Sequence, residues 1–89
     1  MEQKQYKNRD GDIILFTQTG LDTVEMTGYS VGSFRVIGGE IVNGHIEDPT
    51  AVDPSGGPYI SVGSKIPDTK WVVDRIILGG EKVIFKIKQ

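Results

Sequence analysis

Trp71-Val72-Val73-Asp74-Arg75-Ile76-Ile77-Leu78-Gly79-Gly80-Glu81-Lys82-Val83-Ile84-Phe85-Lys86-Ile87-Lys88 is the stretch that decides the fold. Two runs rich in Val, Ile and Phe flank Gly79-Gly80, and a glycine pair supplies the positive φ angles of a two-residue type I′ turn. The stretch therefore reads as a C-terminal β-hairpin over 71–88. Strand side chains alternate between faces, so Val83, Phe85 and Ile87 form the buried face and Lys82, Ile84, Lys86 and Lys88 the outer one. Two registers compete. A two-residue turn sets Ile76 opposite Val83, Asp74 opposite Phe85 and Val72 opposite Ile87, with Asp74 on the core side. A three-residue turn with a bulge sets Arg75 opposite Phe85 and leaves Asp74 beside Lys86. One charged residue leans inward in either case; an Arg can lay its stem along apolar surface, whereas an inward Asp needs donors around it.

Upstream of the hairpin, Ile66-Pro67-Asp68-Thr69-Lys70 reads as a turn and Tyr59-Ile60-Ser61-Val62-Gly63 as a strand. Glu47 to Pro58 holds three of the four prolines and no periodic pattern. It reads as one long Pro/Gly/Asp loop at 47–58, a length that is uncommon without a function. In Val31 to Asp48 two turn signals, Gly38-Gly39 and Asn43-Gly44, stand too close together for both to close full hairpins. The expectation is a turn at Gly38-Gly39, with Gly44 marking a bulge. Val24 and Met26 alternate with Thr23, Glu25 and Thr27 as a half-exposed strand between Gly20 and Gly28, with a short turn of helix from Leu21 as the alternative. At the N-terminal end, Gln5 to Arg9 and Asp12 to Phe16 form a first hairpin around Asp10-Gly11, a favoured type I′ pair. The count is six to seven short strands with no helix. That predicts one all-β domain over 1–89, a small antiparallel β-barrel or sandwich.

Composition narrows the function. The chain of 89 residues buries only about 60 to 65% of its unfolded surface, which leaves no room for a deep private pocket. It has no Cys, so disulfides, thiolate metal sites and cysteine nucleophiles are excluded. No apolar run reaches the ~20 residues of a membrane helix and the first residues lack a signal-peptide core, so a cytoplasmic location is expected. The net charge is −2, which argues against coating nucleic acid. The charge is uneven: residues 1–64 carry four basic and nine acidic groups, residues 65–89 six basic and three acidic. Small size, absence of cysteine and many turns are compatible with a small phage or bacterial accessory protein.

The single histidine, His45, and the pairs Asp10/Asp12 and Glu47/Asp48 read as turn and strand-end chemistry rather than as a catalytic or metal site. Asp10-Gly11-Asp12 lacks the later oxygen ligands of a calcium loop. No Gly-x-Ser-x-Gly elbow, P-loop or His-Glu-x-x-His occurs. The expectation is a protein without an enzymatic activity, a metal or a cofactor. The first reading is a protein–protein interaction module, an inhibitor, adaptor or assembly subunit, that docks through an edge strand or through the loop with Asp48, Pro49, Asp53 and Pro54. The alternative is a homo-oligomer that sequesters an anionic small molecule such as a nucleotide between subunits. Glycine amides, hydroxyls and cations at Gly56, Gly57, Ser61, Lys65, Lys70 and Arg75 would hold the anion, and Tyr59 and Trp71 would stack on the base. A third reading, single-stranded nucleic-acid binding by an OB-like barrel, has those aromatics and the Lys stripe for it and the acidic balance against it.

Overall fold

The molecule is all-β, and period-two burial is clearest in its longer strands. The computed structural model describes residues 2–29, 34–54, 56, 59–79 and 82–88. The strands are β1 (Gln3–Lys7), β2 (Ile13–Gly20), β3 (Thr23–Thr27), β4 (Phe34–Ile37), β5 (Glu40–Val42), β6 (His45–Glu47), β7 (Ala51–Pro54), β8 (Ile60–Ser61), β9 (Val72–Gly79) and β10 (Lys82–Lys88). They make two antiparallel sheets, one of seven strands in the order β1-β2-β3-β10-β9-β6-β5 and one of three in the order β4-β7-β8. Among the described residues the sheets do not close into a barrel, and ten strands stand where six or seven were expected. The excess comes from very short strands, which leave little periodic trace.

The C-terminal hairpin is present, with Val83, Phe85 and Ile87 buried. Its register is neither of the two expected. Gly79 pairs with Lys82 and Phe85 with Ile76, so the connection falls on 80–81, outside the described residues, and Gly79 is the last residue of β9. Between Lys86 and Ile87 the pairing jumps from Arg75 to Val73. Asp74 is thus the extra residue of a β-bulge, and both Asp74 and Arg75 are exposed. The bulge removes the conflict over which charge leans inward: it turns two consecutive charged residues to water and restores Val73 to the core face.

Three more expectations are corrected. In the first hairpin Lys7 pairs with Ile13 and the Asn8 amide donates to the Asp12 carbonyl at 3.0 Å. The loop is therefore the three residues 9–11, with Gly11 at φ +86°, the length that takes a left-handed glycine in its last position. Buried Asn8 holds it: its Oδ1 accepts from the Asp12 amide at 2.8 Å and its Nδ2 donates to the Pro54 carbonyl at 3.3 Å. The second correction concerns the twin turn signals. Val42 pairs with His45, so Asn43-Gly44, at φ 49° and 82°, makes the two-residue hairpin turn, while Gly38-Gly39 carries the chain from the small sheet to the large one. Both pairs tolerate positive φ, and Gly38 and Gly39 themselves stand at 73° and 85°; the pairing of β6 with β9 and of Val42 with His45 is what puts the hairpin turn at Asn43-Gly44. The third correction is to the long loop: it contains β7, whose four residues are all buried. Residues 21–22 form a turn, and no described residue is helical.

The core lies between the sheets. Ile14, Phe16, Val24, Met26, Val73, Ile76, Val83, Phe85 and Ile87 of the large sheet meet Val52 and Ile60 of the small one, with Ile66 and Trp71 from the connection between them. Gly28 ends β3 at φ +84°, and a Cβ there would strike the carbonyl oxygen of Ile13. Gly28→Ala is expected to cost about 2 kcal/mol or more, from left-handed strain plus displacement of β2. Gly44→Ala, at φ +82° with open space around it, loses only about 1 kcal/mol. Urea unfolding of the two variants checks this, and equal losses would contradict the close approach of β2 to Gly28.

Candidate functional site: an open sheet edge

Directly paired residues share a face, so the registers trace rows across the large sheet. One row on the core-facing side runs Lys4, Phe16, Met26, Val83, Leu78, Ile46, Ile41. Its middle is buried and packs on the small sheet. Its ends differ: on β1 it terminates in an exposed lysine, on β5 in Ile41, which is 82% exposed. Charged side chains on an edge discourage pairing with another chain, and β1 carries Lys4 and Lys7. β5 has no neighbour on its outer side among the described residues and displays an isoleucine there. Ile37, 44% exposed on the edge strand β4, precedes Ile41 by four residues, a chain reach of at most about 14 Å.

The outer-face row is Gln3, Thr17, Glu25, Ile84, Ile77, Glu47, Glu40. It ends on two glutamates placed directly opposite each other. His45 reaches Glu47 with Nε2 3.1 Å from Oε1. Beside this edge lies an open cleft of about 480 Å³ lined by residues 45–48 and 75–79, with Arg75 Nε donating to Asp48 Oδ1 at 3.0 Å across it. Asp48 stands at φ 45°, a left-handed conformation that Asp tolerates better than most residues. The chemistry on offer is an unpaired strand edge, an uncovered branched apolar side chain and a carboxylate pair. Those are the parts of a protein contact.

The residues marked by sequence scatter. Of the loop set, only Asp48 is exposed; Pro49 and Pro54 are buried, and Asp53, 1% exposed, takes a 2.8 Å hydrogen bond from Arg35 Nη2. The two are cross-strand partners on β4 and β7. This pair raises the Arg35 pKa, chiefly through the hydrogen bond to Asp53, then through the charges of Tyr59 and Asp53. A raised cationic pKa gives stability that is complete below the ordinary Arg value and fades only as pH climbs past the raised one, so Arg35 stays charged at every working pH. A gripping loop is therefore replaced by a buried strand with an ionic anchor.

The ligand set is no better gathered. Trp71 is 5% exposed and belongs to the core, so its ring face is not free for stacking. Lys70 and Trp71 border a groove with Glu2, Lys4, Asp68 and Thr69. Gly56 lies apart, its carbonyl accepting from Arg9 Nε at 2.9 Å. Ser61 pairs with Ala51, Lys65 with Val72 and Arg75 with Asp48. Tyr59 is exposed, and Gly57 lies outside the described residues. Sequence reasoning missed Glu40, Ile41 and Arg35. Taking Asn43-Gly44 as the hairpin turn would have made Glu40–Val42 a strand and marked Ile41.

Among the described residues no group of three or more acidic or histidine side chains could hold a metal ion, and no helix is long and apolar enough to cross a membrane. Comparison with protein-family models, curated proteins and solved structures finds no match to the chain. The site is therefore read from its own chemistry.

Proposed function

We propose that the chain is a small non-catalytic protein-binding module and that it meets its partner along the outer edge of β5. The observation that carries this reading is Ile41, 82% exposed at the end of a row whose interior is the core. Burying such a side chain in an interface yields about 1.5–3 kcal/mol, and a partner strand would also satisfy the free backbone groups of the edge. Sequestering of an anionic small molecule has less support, because Trp71, the ring that would stack on a base, is 5% exposed and packs in the core.

Ile41→Lys tests the proposal. A substitution at so exposed a site is expected to leave stability within about 0.5 kcal/mol of the parent. Affinity capture from an extract of the organism that makes the protein should yield at least one protein with the parent and with Ile41→Ala that is absent with Ile41→Lys. Capture of the same proteins by all three would end the proposal.

A further inference from the structure

We infer, building on the edge-binding reading above, that the strand received by β5 is a basic extended segment of another protein. A Lys or Arg of that segment faces Glu40 and a branched apolar residue packs against Ile41.

Glu40 and Glu47 are direct cross-strand partners on the outer face. Like charges placed opposite one another destabilise a sheet. Glu40 makes no ion pair with any described residue, whereas Asp48 and Asp53 each have an arginine. The next position outward in this row belongs to whatever strand pairs with β5. A cation there meets Glu40 directly with Glu47 just behind it, and turns a repulsive end of the sheet into a charge-complementary one. Alternation places the neighbouring residue of the incoming strand on the other face, beside Ile41. One extended segment therefore meets both demands at consecutive positions.

A second copy of the chain meets them less well. Two-fold pairing of β5 with itself, centred on Ile41, stacks the isoleucines but sets Glu40 opposite Val42 of the second copy. The two Glu40 residues then lie on a diagonal about 7–8 Å apart, so carboxylates accumulate without a cation. The other open edge is basic but bears no uncovered large aliphatic residue: β1 reads Gln3-Lys4-Gln5-Tyr6-Lys7. A three-residue edge is also far short of the 20–30 residues a side of a stable dimer, whereas it suits transient docking of a peptide.

The test uses two fluorescent blocked peptides, one with Thr-Ile-Arg at its centre and one with Thr-Ile-Glu, with the same Ser/Gly flanks. Anisotropy titration should show the arginine peptide bound about tenfold more tightly by the parent protein, with the preference reduced by salt. Glu40→Lys should reverse the preference, and Ile41→Lys should abolish binding of the arginine peptide. Equal affinity for the two peptides, or no binding of either, overturns the inference. Light scattering on the same samples separates the outcomes. A parent dimer that Ile41→Lys converts to monomer would make the occupant a second copy, ending this inference but leaving the edge as a protein contact. A monomer that binds neither peptide and loses no partner on Ile41→Lys would end both.

Discussion

Phe85→Ala is expected to lower the melting temperature by at least about 12 °C, the effect of losing about 3–5 kcal/mol from a domain of this size. Phe85 is fully buried at the middle of β10, with Ile76 on one side and Val24 on the other. Its ring lies 6.4 Å from that of Phe16 at 47°, within the range of favourable tilted aromatic pairs. Truncation removes this contact and leaves a cavity that two packed sheets cannot close. Total stability for 89 residues is about 4–13 kcal/mol, so the variant sits near the threshold of folding. Ile84, the next residue, is half-buried on the opposite face, and Ile84→Ala should cost clearly less in the same thermal melt. A larger loss at Ile84 would mean that the two faces of β10 had been interchanged.

The second large effect is expected at Arg35, a residue with 66% of its side chain exposed. Surface arginines are ordinarily dispensable, but the partner of this one is a carboxylate with 2% of its side chain exposed. Removing the arginine takes a 2.8 Å charge-assisted hydrogen bond away from a carboxylate held out of water, and loss of a hydrogen bond to a charged group is costly. Arg35→Ala is therefore expected to drop the melting temperature by on the order of 10 °C. Because both changes remove the same pair, Arg35→Ala combined with Asp53→Asn should lose less than the sum of the two single losses. If the double variant loses the sum of both, the pair is not what holds β4 to β7.

Legibility of the fold followed the length of the strands. β10 and β3 show clean alternation over seven and five residues; this marked the buried face of β10, while for β3 it left a turn of helix from Leu21 as an alternative. β7 was hidden because Asp53 and Pro54 within it, and Asp48 and Pro49 just before it, give the segment the composition of a loop. What makes it a strand is burial of Val52 against the core and the pairing of Arg35 with Asp53, both supplied from outside the segment. The candidate site was hidden for a related reason. Ile41 counts as exposed only once β6 is known to lie beside β9, since that neighbour sets where the core-facing row ends.

By itself, the sequence determined the β-only class and the inward face of the last strand, because side-chain alternation is a property of each strand and is written in consecutive residues. Tertiary structure alone decided the bulge that frees Asp74 and Arg75, the choice of Asn43-Gly44 over Gly38-Gly39, and the edge on which Ile41 is left uncovered. Each of those depends on which strand lies next to which and in what register, and register is settled by packing between residues far apart in the chain.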